Sequence, residues 1–185
     1  MKKLLLYTLS IALLLVSACS KNGDNKPTAT IDAQTVSMHY DETHQYSVTN
    51  TTGLTWTSSD ATVGTIDNSG LFTAKKIGKT IIKGTSGNIS VQSTVTVTPY
   101  STMCQEPYFI LGASMATIEG KETRLLYGST ATGLLYTGEN SKLRYAEYIF
   151  DNTGFIEAAL LLANTTDVVD EASTFFKERY TLLGT

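Results

Sequence analysis

Three textures of apolar and polar positions follow one another along the chain. Leu4 to Val16 is an apolar run broken by Tyr7, Thr8 and Ser10. From Ile31 to Pro99 it gives way to short alternations of Val, Ile, Thr and Ser, punctuated by Gly, Asn and Asp. From Tyr108 onward helix-spaced apolar positions appear for the first time. Period two marks a half-buried strand, and period 3.6 marks a helix. The middle texture predicts strands at Val36-Ser37-Met38, Tyr46-Ser47-Val48, Leu54-Thr55-Trp56-Thr57, Leu71-Phe72-Thr73, Thr80 to Gly84 and Val91 to Val97. In the last of these, Val91, Ser93, Val95 and Val97 share one face, while Gln92, Thr94, Thr96 and Thr98 face the other way. Asp67-Asn68-Ser69-Gly70 reads as a turn in which Gly70 supplies positive φ. Strands this short at this spacing predict an all-β sandwich over 31–98. Trp56 is expected to fill the space between sheets about 10 Å apart.

Pro99 to Pro107 (99–107) reads as a linker into a second module over 108–185. Ser114 is placed to cap a short helix carrying Met115, Ile118 and Glu122, which Gly120 weakens. Glu119 and Glu122 are expected to decorate its solvent face. Strands follow at Leu125-Leu126-Tyr127 and Gly133 to Tyr136. Then comes a hairpin of Leu143–Phe150 and Phe155–Leu162 around the four residues Asp151-Asn152-Thr153-Gly154. On one face Ala146, Tyr148 and Phe150 are expected to meet Ile156, Ala158 and Leu160. A final helix capped by Thr166 or Asp167 carries Asp167, Asp170 and Glu171 at its start, Lys177 and Arg179 near its end, and an apolar stripe of Val168, Val169, Ala172, Phe175, Phe176 and Tyr180. Helix, antiparallel strands, helix is a small α+β layer packing.

The opening residues combine a cationic start at Lys2 and Lys3, a short apolar segment and the small residues Ser17 and Ala18 before Cys19. That is signal-peptide anatomy over 1–18. The apolar run is shorter than the ~20 residues a membrane-spanning helix needs. Val16-Ser17-Ala18-Cys19 resembles the lipobox of bacterial lipoproteins. The resemblance implies cleavage between Ala18 and Cys19, a diacylglyceryl and fatty-acyl (palmitate-type) anchor on Cys19, and membrane partnership through that lipid. Several acyl chains hold durably where one holds marginally, at ~0.8 kcal/mol per buried methylene. Residues 19–30, polar after the cysteine, then form a flexible tether. Ser20 lacks the inner-membrane retention Asp, so resemblance favours the outer membrane, surface-exposed or periplasm-facing.

Residues 31–98 resemble the group 2 bacterial immunoglobulin-like domain, whose landmarks stand in order. Asp41-Glu42-Thr43 matches its turn, Trp56-Thr57-Ser58-Ser59-Asp60 its W-x-S-S-D element, and Val63-Gly64-Thr65-Ile66-Asp67 its V-A-T-V-D element. Gly70-Leu71-Phe72-Thr73-Ala74, then Gly78 with Thr80-Ile81-Ile82, and Val95-Thr96-Val97 follow. Gly64 replaces the usual alanine and Phe72 a smaller aliphatic residue. The fold class is thus an all-β Ig-like sandwich followed by a small α+β module. The second module loosely resembles those behind Ig-like domains in Gram-negative surface lipoproteins, through Gly112-Ala113-Ser114, Tyr148 to Gly154 and Phe176 to Tyr180. Those modules continue with further strands, so a truncated or swapped module is an expectation here.

Charge and chemistry narrow the function. The 185 residues carry a net charge of −3, and cleavage removes Lys2 and Lys3, so no electrostatic reason exists to hold nucleic acid or an anionic bilayer. With Cys19 lipidated, Cys104 has no partner in the chain and reads as a small buried apolar residue. His39 and His44 are expected on opposite faces of one extended strand, solvated and unable to share a metal. No P-loop, G-x-G-x-x-G, H-E-x-x-H, G-x-S-x-G or C-x-x-C stands in the sequence. Asp41, Glu42 and Asp67 read as turn residues, Asp170 and Glu171 as helix-start residues, and the D-x-D-x-D-G calcium spacing is missing. No catalytic residue, metal or cofactor is expected. The reading is a non-enzymatic, lipid-anchored envelope protein whose Ig-like spacer or adhesion module presents a binding module, with a protein or glycan ligand contacted through tyrosines. The alternatives are a glycan-capture lipoprotein of an uptake system, and a small hydrolase or inhibitor.

Overall fold

The computed structural model describes residues 28–181; the signal, Ala18, Cys19 and most of the tether lie outside the described residues. The N-terminal strands are β1 (Thr30–Ile31), β2 (Thr35–His39), β3 (Thr43–Gln45), β4 (Val48–Thr49), β5 (Thr55–Ser58), β6 (Gly64–Ile66), β7 (Leu71–Ala74), β8 (Gly78–Ser86) and β9 (Ile89–Thr98). A four-stranded sheet runs β2-β9-β8-β5, a three-stranded one β3-β7-β6, and β1 pairs with β4. β2 lies parallel to β9, and every other pairing is antiparallel. The alternation expected along β9 is observed: Val91, Ser93, Val95 and Val97 are buried. They pack with Met38, Tyr46, Val63, Phe72, Ala74 and Ile82 between the sheets.

Two buried hydroxyls explain features of the sequence that hydrophobicity alone does not. Ser93 stands among valines because the Tyr46 hydroxyl crosses the core and donates to its Oγ at 2.9 Å. Thr80 is 2% exposed. Its Oγ1 lies 2.8 Å from Ser58 Oγ and 3.2 Å from Ser59 Oγ, and accepts from the Asp60 N–H at 3.0 Å. The Ser-Ser-Asp after Trp56 is therefore a polar staple between β5 and β8, satisfying groups that burial would otherwise penalise. Trp56 stacks on Tyr46 at 5.8 Å. At Gly70, φ is +85°, as the turn requires.

Beyond the sandwich come α1 (Met115–Glu119), β10 (Leu126–Thr130), β11 (Gly133–Thr137), β12 (Leu143–Asp151), β13 (Gly154–Leu162) and α2 (Thr166–Lys177). The four strands form one antiparallel sheet in chain order. Ser114 caps α1 by accepting from the Thr117 N–H. Both helices cover the same sheet face. Ile118 packs with Leu134, Tyr136, Tyr148, Phe150 and Phe155, and Val168, Ala172 and Phe175 pack with Leu143, Ala146, Met103 and Cys104.

Three local expectations need correction. Thr165, not Thr166 or Asp167, caps α2, with no side-chain bond. Val169 is 55% exposed and leaves the stripe, because the seam follows Val168, Ala172 and Phe175. In the hairpin, Tyr148 faces Ala158 and Ala146 faces Leu160 as expected, but a bulge at Ile156 makes Phe155 the partner of Phe150. Ile156 is left outside and Phe155 becomes fully buried.

Residues 99–107 are tied down rather than strung between the modules. Glu178, at 0% exposure, accepts from the Tyr100 N–H at 2.8 Å and the Ser101 N–H at 3.1 Å, and pairs with Arg179 at 2.5 Å. Arg179 also donates to Ser101 O at 2.9 Å and Phe175 O at 3.2 Å, and pairs with Glu106 at 3.1 Å. From the sandwich, Ile77 N–H donates to Glu178 O at 2.8 Å, and Lys76 Nζ donates to the carbonyls of Lys177 and Tyr180 at the end of α2. A lysine there satisfies carbonyls left orphaned by the helix end and suits its dipole.

Candidate functional site

The sheet face opposite the helices has no covering element among the described residues. Its rows are Thr137–Tyr145–Leu161, Leu135–Glu147–Ala159 and Gly133–Ile149–Glu157, and none of these residues belongs to either helix-side cluster. At one end of this face lies a groove of about 500 Å³ lined by Tyr127, Thr137, Gly138, Asn140, Ser141, Leu143, Arg144 and Tyr145.

Two β-bulges build it. The register slips between Leu126 and Gly128 on β10, and between Leu143 and Tyr145 on β12, leaving Tyr127 and Arg144 as the extra residues. A bulge re-aims side chains and so can place two neighbours on one face. Here the rings of Tyr127 and Tyr145 meet at 5.2 Å, tilted by 58°. Arg144 is exposed and makes no ion pair or side-chain hydrogen bond among the described residues.

The wall opposite the rings is rigid. Asn140 Oδ1 accepts from the N–H groups of Lys142 (2.8 Å) and Leu143 (3.3 Å), while its amide donates to Met103 O at 2.8 Å. A Cβ at position 138 would lie 1.7 Å from Leu143 O, so only glycine lets the β11–β12 connection close this tightly.

Behind the wall sits a buried polar network that the sequence did not reveal. Gly120 ends α1, the chain turns inward, and Glu122 has 1% side-chain exposure instead of decorating the helix. Its carboxylate pairs with Arg124 at 2.8 Å and accepts from the Tyr148 hydroxyl. Arg124, also 1% exposed, pairs with Glu139 at 2.7 Å and donates to Gln105 O. Tyr148 Oη accepts in turn from the Tyr108 N–H at 2.9 Å. Burial alone would raise both carboxyls. For Glu122 the Tyr148 hydroxyl, backbone amides and Arg124 outweigh it, and for Glu139 chiefly Arg124 and the Gln105 amide do, so both are held low. Burial and the Glu122 hydrogen bond push the Tyr148 phenol upward. Glu122 and Arg124 are closed to solvent while Glu139 stays 30% exposed, so the network fixes the chain around the groove.

The residues singled out from sequence fall elsewhere. Cys19 and Ala18 lie outside the described residues. Cys104 is buried and unpaired, and desolvation followed by the nearby Glu139 raises its thiol to about 11, which leaves it inert at neutral pH. His39 and His44 are not on one strand but on β2 and β3, separated by a turn in which Asp41 has φ 63°. His39 stacks on Tyr100 at 4.4 Å. His44 is half-buried: its Nε2 is buried without a partner among the described residues, and its ring meets Tyr46 edge-on at 4.6 Å. Among the described residues no three His, Cys, Asp or Glu side chains converge on a metal position. Asp67 serves its turn, accepting from Ser69 and Leu71 N–H. Glu171 binds Lys142 at 2.5 Å and Ser101 at 3.0 Å.

With this geometry in place, the family comparison is decisive for one part. Residues 19–99 match the family model of the bacterial Ig-like domain (group 2). The match supports the Ig-like sandwich expected for residues 31–98. Comparison with curated proteins gives no match. Among solved structures the chain is similar to the S-layer protein SbsC, domains 5–6, at 17% identity and TM-score 0.33, covering 71% of this chain and 65% of that one. Domains 4–9 of the surface layer protein SbsC follow at 14% identity and TM-score 0.33 (71% and 21% covered). Domains 1–6 stand at 16% and 0.31 (74% and 21% covered). The chain therefore spans less than two thirds of each of these structures.

Proposed function

We propose that the protein is a non-enzymatic, lipid-anchored component of the bacterial cell envelope. Its Ig-like domain carries the C-terminal module as a binding head, and the anchor is the lipid on Cys19, in the outer membrane. The observation that carries this reading is the groove of Tyr127, Arg144 and Tyr145 on the uncovered sheet face. At about 500 Å³ it falls within the ~300–1,000 Å³ usual for small-ligand sites. Tyrosines supply rigid contact area with a polar tip. The interlocked 99–107 segment supports a stiff mount for the head.

A second reading, a glycan-capture lipoprotein serving an uptake system, is favoured by one feature. Two tilted aromatic faces stand beside a free guanidinium and the Ser141 hydroxyl, which suits a sugar's apolar ring face and its hydroxyl or carboxylate groups.

Two measurements test these readings. In Triton X-114 partition the expressed chain should enter the detergent phase and Cys19→Ser the aqueous phase; equal partition removes the anchor. On a broad array of oligosaccharides and envelope proteins, binding by the wild type should fall at least tenfold in Tyr127→Ala and Arg144→Ala. Binding that survives both changes removes the groove as the site. Binding to soluble oligosaccharides selects the second reading, and binding to proteins alone the first.

A further inference from the structure

The lining of the Tyr127–Tyr145 groove carries one charge, and that charge is uncompensated. Of its eight residues only Arg144 is ionised at neutral pH. The charged residues that flank the lining along the chain are already engaged, Glu139 with Arg124 at 2.7 Å and Lys142 with Glu171 at 2.5 Å. Glu147 stands one row further along the same face, opposite Leu135 and Ala159 and outside the lining. A free guanidinium is a planar fork of donors that matches a carboxylate through two parallel hydrogen bonds. The chain as a whole, at net charge −3, repels anions, so an anion held here is held by Arg144 itself.

The tyrosines set the neutral part of the ligand. Tyr127 is 66% exposed, and its ring is tilted by 58° from that of Tyr145, so two non-parallel π faces stand in one groove with the guanidinium. A π face is negative and attracts the positively polarised C–H groups of a sugar ring. Asn140 is committed to Lys142, Leu143 and Met103, which leaves the Thr137 and Ser141 hydroxyls in the lining for those of the sugar. We propose that the ligand is a uronic-acid glycan, with a sugar ring on the tyrosines and its carboxylate on Arg144. The inference rests on the groove being the binding site and narrows its ligand from glycans in general to acidic ones. A phosphate ester, at roughly −1.5 to −2 near neutral pH, would leave charge that one guanidinium does not match. An acidic peptide brings the carboxylate without a sugar ring for the tyrosines.

Isothermal titration of the purified full chain tests it, with trimers of galacturonic, glucuronic and mannuronic acid and the methyl ester of each. At least one acid should bind roughly tenfold more tightly than its ester, because esterification keeps the rings and removes the charge that the fork recognises. Raising salt from ~0.05 to ~0.5 M should weaken the acid and leave the ester unchanged, since exposed charges are screened. Arg144 is exposed, so the fold tolerates its replacement. Arg144→Gln should bring the acid down to the level of its ester, and Arg144→Lys should recover only part of the difference, as a point charge without the fork. Equal binding of acid and ester, a preference that persists in Arg144→Gln, equal binding of triglutamate, or no binding by any of the three acids would each overturn the proposal. Equal binding of acid and ester that is lost in Tyr127→Ala keeps the groove as a site and removes only its acidic specificity. Binding unchanged in Tyr127→Ala removes the groove itself.

Discussion

A methyl group added at Gly64 has nowhere to go. Its Cβ would stand 2.2 Å from the Phe72 ring and 2.7 Å from Thr73 O. The two departures from the family pattern, glycine for alanine and phenylalanine for a smaller aliphatic, are thus one compensated exchange: the larger ring occupies the space the alanine gives up. Overpacking a core costs ~1–3 kcal/mol. The lower unfolded-state entropy of alanine returns up to ~1 kcal/mol. Gly64→Ala is therefore expected to lose up to about 3 kcal/mol, the upper bound of the difference of those two terms. Phe72→Leu removes three ring carbons from a fully buried position, about 2 kcal/mol at ~0.8 kcal/mol per carbon. In the double variant the added methyl enters the vacated space, so the pair should be more stable than the sum of the singles by about 1 kcal/mol. It should still fall short of wild type, because the Thr73 carbonyl remains close. Urea denaturation followed by fluorescence of the chain's one tryptophan, Trp56, reads the Ig-like domain separately from the C-terminal module. Single losses that add within ~0.3 kcal/mol would refute the compensation.

Glu178→Ala should free the joint. It removes a buried acceptor from two backbone N–H groups and a partner from Arg179, a class of change that costs ~3–5 kcal/mol. Amide exchange at Tyr100 and Ser101 should accelerate, and proteolytic cleavage within 99–107 should appear; unchanged exchange at both amides sinks the idea. Acid should loosen the C-terminal module through Glu122 and Glu139. Both are held below the ordinary value of 4.5 in the folded state, so their stabilisation is complete above that value and is lost as pH falls through the folded-state values. Tyr148→Phe removes the hydroxyl donor to Glu122 and should flatten this acid dependence, as measured by urea denaturation followed by tyrosine fluorescence between pH 3 and 7. An unchanged pH profile in that variant would show that Tyr148 does not hold the carboxylate.

Much of the architecture is legible because it is written in local terms. Alternation along Val91 to Val97, the Asp67–Gly70 turn, the Ser114 cap and the hairpin at Asp151 to Gly154 depend on neighbours a few residues away. The groove was less legible, although one trace of it stands in the sequence. Leu143 and Ala146 are both buried yet lie three apart within one strand, and a period-two strand keeps two positions on one face at odd spacing only through a bulge. Glu122 was misplaced for a different reason. A carboxylate near a short helix reads as solvent-facing, and its inward turn depends on Arg124, Glu139 and Tyr148 being brought to it by three separate segments.

The amino-acid sequence by itself determined the alternation along β9, the Asp67–Gly70 turn, the hairpin of β12 and β13 and the closing helix, since periodicity and turn chemistry act at short range. The tertiary structure alone decided three things. Tyr127 and Tyr145 share a groove, Glu178 ties the modules together, and Gly64 answers Phe72. Each joins residues distant along the chain or on different strands, and the energies that couple them arise only when packing removes water and places them within contact distance.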